Sequence, residues 1–282
     1  MSEVRPTNHG PSPYPQLSGE TLVVPIVGDP IAQVRSPDGI TRAFAARGRN
    51  AVVVPLQITG GRLDALVQGL IPSGSIGGII ATVPHKFGLT PHCATLTDRA
   101  AFLGSVNVAR RNPDGTLHGD QVDGAAYVAA VIANGGEPAG ARVLQIGAGG
   151  AGTAIALALL EAGAAELALH DADPVRRDGL ITRLRERFGD RVTLGSSEPT
   201  GFDIVAHATP MGMRPGDPLP IDVTQLKPAT FVADVVTKPA VPPLIEAARA
   251  LGCGTSSGAD MFAAVSELIT DFLLADGPLK GE

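Results

Sequence analysis

A short apolar strand that runs straight into a glycine-rich turn and then a helix restricts this chain more than any other feature. Arg142-Val-Leu-Gln-Ile146 leads into Gly147-Ala148-Gly149-Gly150-Ala151-Gly152, which opens a helical stretch. A turn this tight favours a residue without Cβ at Gly147. Backbone amides approach an anion closely only where Gly149 is bare, and the helix packs onto its strand only where Gly152 is small. The positive end of the helix then faces any phosphate held there. Strand, turn and helix in this order predict a dinucleotide-binding βαβ unit with Gly147 to Gly152 as its contact residues.

The next strand, Glu166 to His170, ends at Asp171, about 20 residues beyond Gly152. An acidic residue there accepts hydrogen bonds from ribose hydroxyls and repels a 2′-phosphate, so His170 and Asp171 are assigned to the cofactor and NAD is expected in preference to NADP. Arg176 and Arg177 follow closely and could offset that repulsion, although both also read as solvated charges on a surface helix.

Elsewhere β-branched runs alternate with helical stretches, the pattern of an α/β protein with parallel sheets. Strands are expected over 22–27, 51–56, 77–81, 166–170, 191–194, 203–206 and 232–236. Helices are expected over 37–47, 62–71, 91–102, 150–162, 174–188, 243–250 and 258–275, with Ser36 capping the first. Residues 105–119, with the turn Asn112-Pro113-Asp114-Gly115, read as a hairpin, and Asp123 opens a helix ending near Gly135. The last helix is apolar along one face and could fold back onto the first domain.

The net charge of −6, without a Lys/Arg cluster, argues against a nucleic-acid partner. No apolar run approaches the roughly 20 residues of a membrane span. The first twenty residues, rich in Pro, Ser and Gly and including His9, read as a disordered tail without a signal sequence. Two widely separated cysteines, Cys93 and Cys253, fit buried thiols in a reducing, cytoplasmic compartment. His85 neighbours Lys86, whereas His92, His118, His170 and His207 are scattered without ligand spacing, so no metal site is expected. The absence of a G-x-S-x-G elbow sets serine hydrolysis aside.

Two further segments carry chemistry. Thr82-Val-Pro-His-Lys86 places a lysine where a strand ends, and Gly119-Asp-Gln-Val-Asp123-Gly124 presents a carboxylate where a helix begins. Alone, Lys86 reads as a surface cation and Asp123 as a helix N-cap. In order and spacing, however, these segments join Gly28-Asp-Pro-Ile-Ala, Ser36-Pro37, Gly104-Ser-Val-Asn107, the glycine turn, Ala208-Thr-Pro-Met-Gly-Met213 and Asp234-Val-Val-Thr-Lys-Pro239. Together they resemble the shikimate/quinate dehydrogenase family over residues 22–276.

That resemblance implies an α/β substrate-binding domain (21–123 plus 257–282), a Rossmann-type doubly wound dinucleotide-binding domain (124–256) and a cofactor cleft between them. It implies that Lys86 and Asp123 shuttle the proton of the reacting hydroxyl. It places Ser36, Thr82, Asn107, Val34, Thr237 and Val265 at substrate positions, and Ala208, Thr209, Met211, Val235, Gly258 and Asp98 on the cofactor side. At several positions where the family carries hydrogen-bonding groups this chain has Val34, Ile80, Val108, Gln121-Val122, Thr237 and Val265. Losing three contacts at about 1 kcal/mol each weakens binding roughly a hundredfold, so shikimate is expected to be a poor substrate. The resulting expectation is an NAD(P)-dependent enzyme, monomeric or homodimeric, that interconverts a secondary alcohol of a small, cyclic hydroxy acid and its ketone. The rival is a dinucleotide-binding sensor with little turnover.

Overall fold

A computed structural model describes residues 14–32 and 34–280. Most of the expected tail, His9 included, lies outside the described residues. Residues 14–20 do carry contacts: Ser18 N–H donates to Thr21 Oγ1, and Asn50 Nδ2 donates to Ser18 Oγ. The chain divides into two compact units, Met1–Asp120 with Ile269–Glu282, and Gln121–Leu268.

The first unit contains β1 (Leu22–Gly28), α1 (Ser36–Ala46), β2 (Ala51–Gln57), α2 (Leu63–Leu70), β3 (Gly78–Ala81), α3 (Lys86–Leu89), β4 (Thr95–Leu96), α4 (Asp98–Leu103), β5 (Val108–Arg111) and β6 (Leu117–Asp120). Its sheet runs β2-β1-β3-β5-β6-β4. β1 pairs in parallel with β2 and β3, whereas β5 is antiparallel to both β3 and β6, so the sheet is mixed rather than wholly parallel. The expected 105–119 hairpin accounts for the reversal. Val27, Val67, Ile79, Leu89, Val106 and Leu117 form one buried core on this sheet.

Two local expectations fail here. The helix predicted over 91–102 is broken into a 3₁₀ turn at Thr90–His92, the short β4, and α4. Cys93 is extended (φ −90°, ψ 123°), Thr95 and Leu96 pair with His118 and Gly119 of β6, and Thr97 restarts the helix by accepting the Ala100 N–H at 3.3 Å. Ser36 is the first helical residue, buried, and Arg35 occupies the cap position without a side-chain cap bond.

The second unit contains α5 (Asp123–Ala133), β7 (Arg142–Ile146), α6 (Gly150–Glu161), β8 (Glu166–His170), α7 (Pro174–Phe188), β9 (Val192–Leu194), β10 (Ile204–His207), β11 (Phe231–Asp234), α8 (Pro243–Ala250) and β12 (Gly254–Ser256). α9 (Gly258–Leu274) starts in this unit and ends in the first, so the boundary falls inside a continuous helix instead of before it. There, Phe272 O accepts from Arg110 Nη1 and Leu273 packs on Gly78. Every strand pair of the second sheet is parallel, in the order β12-β11-β10-β7-β8-β9. This is the doubly wound dinucleotide-binding order, whose direction reverses between β7 and β10. Ligands of such sheets bind outside the carboxyl ends of the strands at that reversal.

Candidate active site

The glycine turn sits at the reversal point. Gly147 has φ +110°, which a side chain would strain, and its N–H donates to His170 O at 2.7 Å. A Cβ on Gly147 would lie 2.7 Å from Ala208 O and 2.8 Å from Thr209 Cγ2. One on Gly152 would meet Gly147 O at 2.2 Å, so α6 can begin this close to its strand only with glycine there. Buried Gln145 holds the bend by donating through Nε2 to Gly147 O (2.8 Å) and Gly152 O (2.7 Å).

Gly149 and Gly150 have a different reason to be bare. A Cβ on Gly149 would find nothing nearer than Arg176 Nη1 at 3.9 Å, and one on Gly150 nothing within 4 Å. Neither is needed for packing inside the protein. Their openness leaves room for a ligand beside the first turn of α6, which no side chain caps. Ala151 is exposed on that turn. The residues present therefore fit a dinucleotide pyrophosphate.

Asp171 follows β8 directly. Its Oδ2 accepts the Ala148 N–H at 2.7 Å and its Oδ1 accepts the Asp173 N–H at 2.8 Å, which ties the carboxylate to the glycine turn. Arg176 lies 3.9 Å from Asp171 and 3.3 Å from Asp173, with its side chain half exposed.

On the other side of the reversal, β10 ends in His207. By sequence spacing this histidine is one of several scattered ones. It is fully buried, with Nδ1 2.9 Å from Asp234 Oδ1 on β11 and Nε2 2.6 Å from Thr209 Oγ1. Thr209 Oγ1 also accepts the Met211 N–H at 3.2 Å. Val235 N–H donates to His207 O, and Gly258 packs so tightly on Val235 and Val236 that a Cβ would lie 2.4 Å from Val235 O. Ala208, Thr209, Met211, Val235 and Gly258 thus gather at the same sheet edge as the glycine turn. Thr237 is exposed, and Val265 lies partly buried on α9.

Asp123 is the first residue of α5, not its cap, which is Val122. It is buried, and its N–H donates to Gln121 Oε1 at 2.9 Å. Tyr127, one turn on, donates to Ala233 O at 2.9 Å. Burial, and secondarily the Asp234 carboxylate, pushes the Tyr127 phenol well above its usual value, so it remains a neutral donor.

The first unit collects Lys86, Thr82 and Asn107. Thr82 N–H donates to Val27 O (2.9 Å), and Ala81 N–H donates to Asn107 O (2.8 Å). Lys86 O accepts Val106 N–H at 2.9 Å, and the lysine is half-buried at the start of α3. The preceding His85 is buried, with Nε2 2.6 Å from Ile58 O. It anchors the turn and is not offered to a ligand. Ser36 is buried, Val34 partly buried, and Asp98 exposed at the start of α4. Ile80, Val108 and Val122 are buried, as are Ser36, Asn107 and Asp123.

Among the described residues no group of His, Cys, Asp and Glu could hold a metal ion, and no helix is long and apolar enough to cross a membrane. Both cysteines are free, and burial pushes the Cys93 thiol up to about 12.

Comparison with known proteins places these features in context. Residues 26–109 match the family described as the shikimate dehydrogenase substrate binding domain. Shikimate dehydrogenase (NADP(+)) of Rubrobacter xylanophilus is 38% identical over 250 residues, covering 86% of this chain and 87% of that protein. Among solved structures, shikimate 5-dehydrogenase of Listeria monocytogenes, in complex with shikimate and NAD, superposes with a TM-score of 0.86 at 26% identity, covering 94% of this chain and 96% of that one. Quinate dehydrogenase of Corynebacterium glutamicum, in complex with NAD, gives a TM-score of 0.82 at 26% identity, covering 90% and 94%.

Proposed function

The chain belongs to the shikimate/quinate dehydrogenase family of NAD(P)-dependent oxidoreductases, and we propose that it interconverts the secondary alcohol of a small cyclic hydroxy acid and its ketone. The observation that carries this reading is the glycine turn at the sheet reversal: its packing glycines are closed against protein and its ligand-facing glycines are open.

When bound, the nicotinamide supplies the hydride acceptor or donor. The pyrophosphate would lie against the amides of Gly149 to Gly152, and the adenosine ribose against Asp171. Lys86 takes the proton from the reacting hydroxyl oxygen during oxidation and returns it during reduction, and its ammonium form stabilises alkoxide-like charge on that oxygen. Asp123 is assigned as the second member of the pair, its carboxylate accepting a hydrogen bond from the reacting hydroxyl. Thr82, Asn107 and Ser36 are the groups that would hold the substrate's other polar atoms. Val34 and Val265 offer the substrate no hydrogen bond, and Thr237 reaches less far than a longer polar side chain. These three positions support a preference for a substrate with fewer polar groups than shikimate.

NAD is the preferred cofactor in this reading, although the curated relatives are named for NADP(+). A carboxylate at the ribose position disfavours a 2′-phosphate, and half-exposed Arg176 offsets only part of that. Asp171→Asn should therefore raise the NADP-to-NAD ratio of kcat/KM about tenfold, the equivalent of roughly 1.4 kcal/mol of relieved repulsion. Steady-state assays of both proteins with both cofactors measure it, and an unchanged ratio removes Asp171 as the selector.

A further inference from the structure

Six residues assigned to the cofactor, Gly147, Ala208, Thr209, Met211, Val235 and Gly258, are linked by two that were not, His207 and Asp234. The link runs across strands. His207 and Asp234 are register partners on β10 and β11, and both are buried. Facing a carboxylate, His207 Nδ1 is the donor to Asp234 Oδ1 (2.9 Å), which leaves Nε2 to accept from the Thr209 hydroxyl (2.6 Å). That hydroxyl in turn accepts from Met211 N–H, so each group in the chain has one defined direction. Asp234 Oδ1 also accepts the Val236 N–H at 2.9 Å, while Oδ2 has no hydrogen-bond partner. A buried carboxylate left half-satisfied is costly, and such groups concentrate where geometry serves function.

Thr209 is where this network reaches the glycine turn. Its Cγ2, with Ala208 O, occupies the space a Cβ on Gly147 would need. The rotamer of Thr209 therefore sets how the turn after β10 lies against the turn after β7. The parallel register of β10 and β11 is a backbone pairing and does not itself call for a histidine.

We propose that the buried His207–Asp234 pair is a positioning device for the dinucleotide: Asp234 fixes the imidazole, and the imidazole fixes Thr209 against the glycine turn. The proposal rests on the dinucleotide-binding reading above. It separates from a purely structural role because the two ring nitrogens do different jobs. His207→Asn retains an amide donor where Nδ1 stands and can still satisfy Asp234, but it cannot reach Thr209. Thr209→Val keeps the shape of Thr209 and loses its hydroxyl.

The test is titration of the purified full-length protein with NADH and NADPH, read by nucleotide fluorescence, alongside the melting temperature of the nucleotide-free protein. Each single variant should weaken binding of the preferred dinucleotide roughly five- to twentyfold, the worth of one well-placed hydrogen bond. The double variant should be no weaker than the poorer single one, because both remove the same bond. KM for the hydroxylated substrate should stay at the wild-type value, and His207→Gln, whose amide reaches the Nε2 position, should recover part of the affinity. Wild-type affinity in both His207→Asn and Thr209→Val overturns the proposal while leaving the dinucleotide reading intact, as does a loss of melting temperature with no change in affinity. Wild-type protein that binds neither dinucleotide overturns both.

Discussion

Lys86→Ala should lower kcat by about 10²- to 10⁴-fold, the range general acid–base residues supply, and leave dinucleotide affinity nearly unchanged. Oxidation of a secondary alcohol stalls if no base removes the hydroxyl proton, and a bound water replaces a positioned lysine poorly. The substitution should spare the fold. The backbone at Lys86 is held by the bond from Val106 N–H, by buried His85 on one side and by fully buried Leu89 on the other, none of which needs the ammonium. Lys86→Arg sharpens the test: it preserves positive charge but exchanges protons far less readily, so it should rescue little of the rate. Parallel measurement of kcat, cofactor Kd and melting temperature separates the outcomes. Near-normal turnover in Lys86→Ala would remove the proton-handling role from this residue.

A large effect on stability is expected at Gly124, beside the Asp123 carboxylate. A Cβ there would sit 2.0 Å from Ala154 O and 2.5 Å from Ala154 C, which are backbone atoms of α6 that cannot rotate away. Gly124→Ala must push α5 and α6 apart, at a cost of about 3 kcal/mol by the usual scale of overpacking. Thermal unfolding should shift down by roughly 6–12 °C for a unit of this size. Because α5 starts at Asp123, turnover should fall as well. Gly179 on α7 is the contrasting site: it has open space around it, so Gly179→Ala should raise stability slightly, as expected where glycine merely weakens a helix. A Gly124→Ala melting curve that overlays the wild type would show that the helices do not meet at this point.

The parts of the fold that could be read from sequence are those governed by local rules. β7, β8, α7 and α8 begin and end where the apolar runs, Asp173 and the prolines put them. The first helix of the dinucleotide unit was legible because the glycines dictate it. Residues 91–102 suit a helix by composition, whereas the pairing of Thr95 and Leu96 with β6 and the Thr97 cap decide the break. The three-residue β12 carries too little pattern to register. In the candidate site, the positions of Asp171 and the glycine turn were readable because spacing along one βαβ unit fixes them. His207 and Asp234 were not, because 27 residues separate them and only the β10–β11 register brings their side chains together.

The most direct test of the central claim is the growth of reduced-nicotinamide absorbance when the purified protein is mixed with NAD or NADP and, in turn, shikimate, quinate and simpler cyclic hydroxy acids. Absorbance should rise with at least one hydroxy acid, faster with NAD than with NADP, with shikimate not the best substrate, and the signal should vanish in Lys86→Ala. A flat trace for every substrate, from protein that binds the dinucleotide, would contradict the dehydrogenase assignment and leave a nucleotide-sensing role in its place.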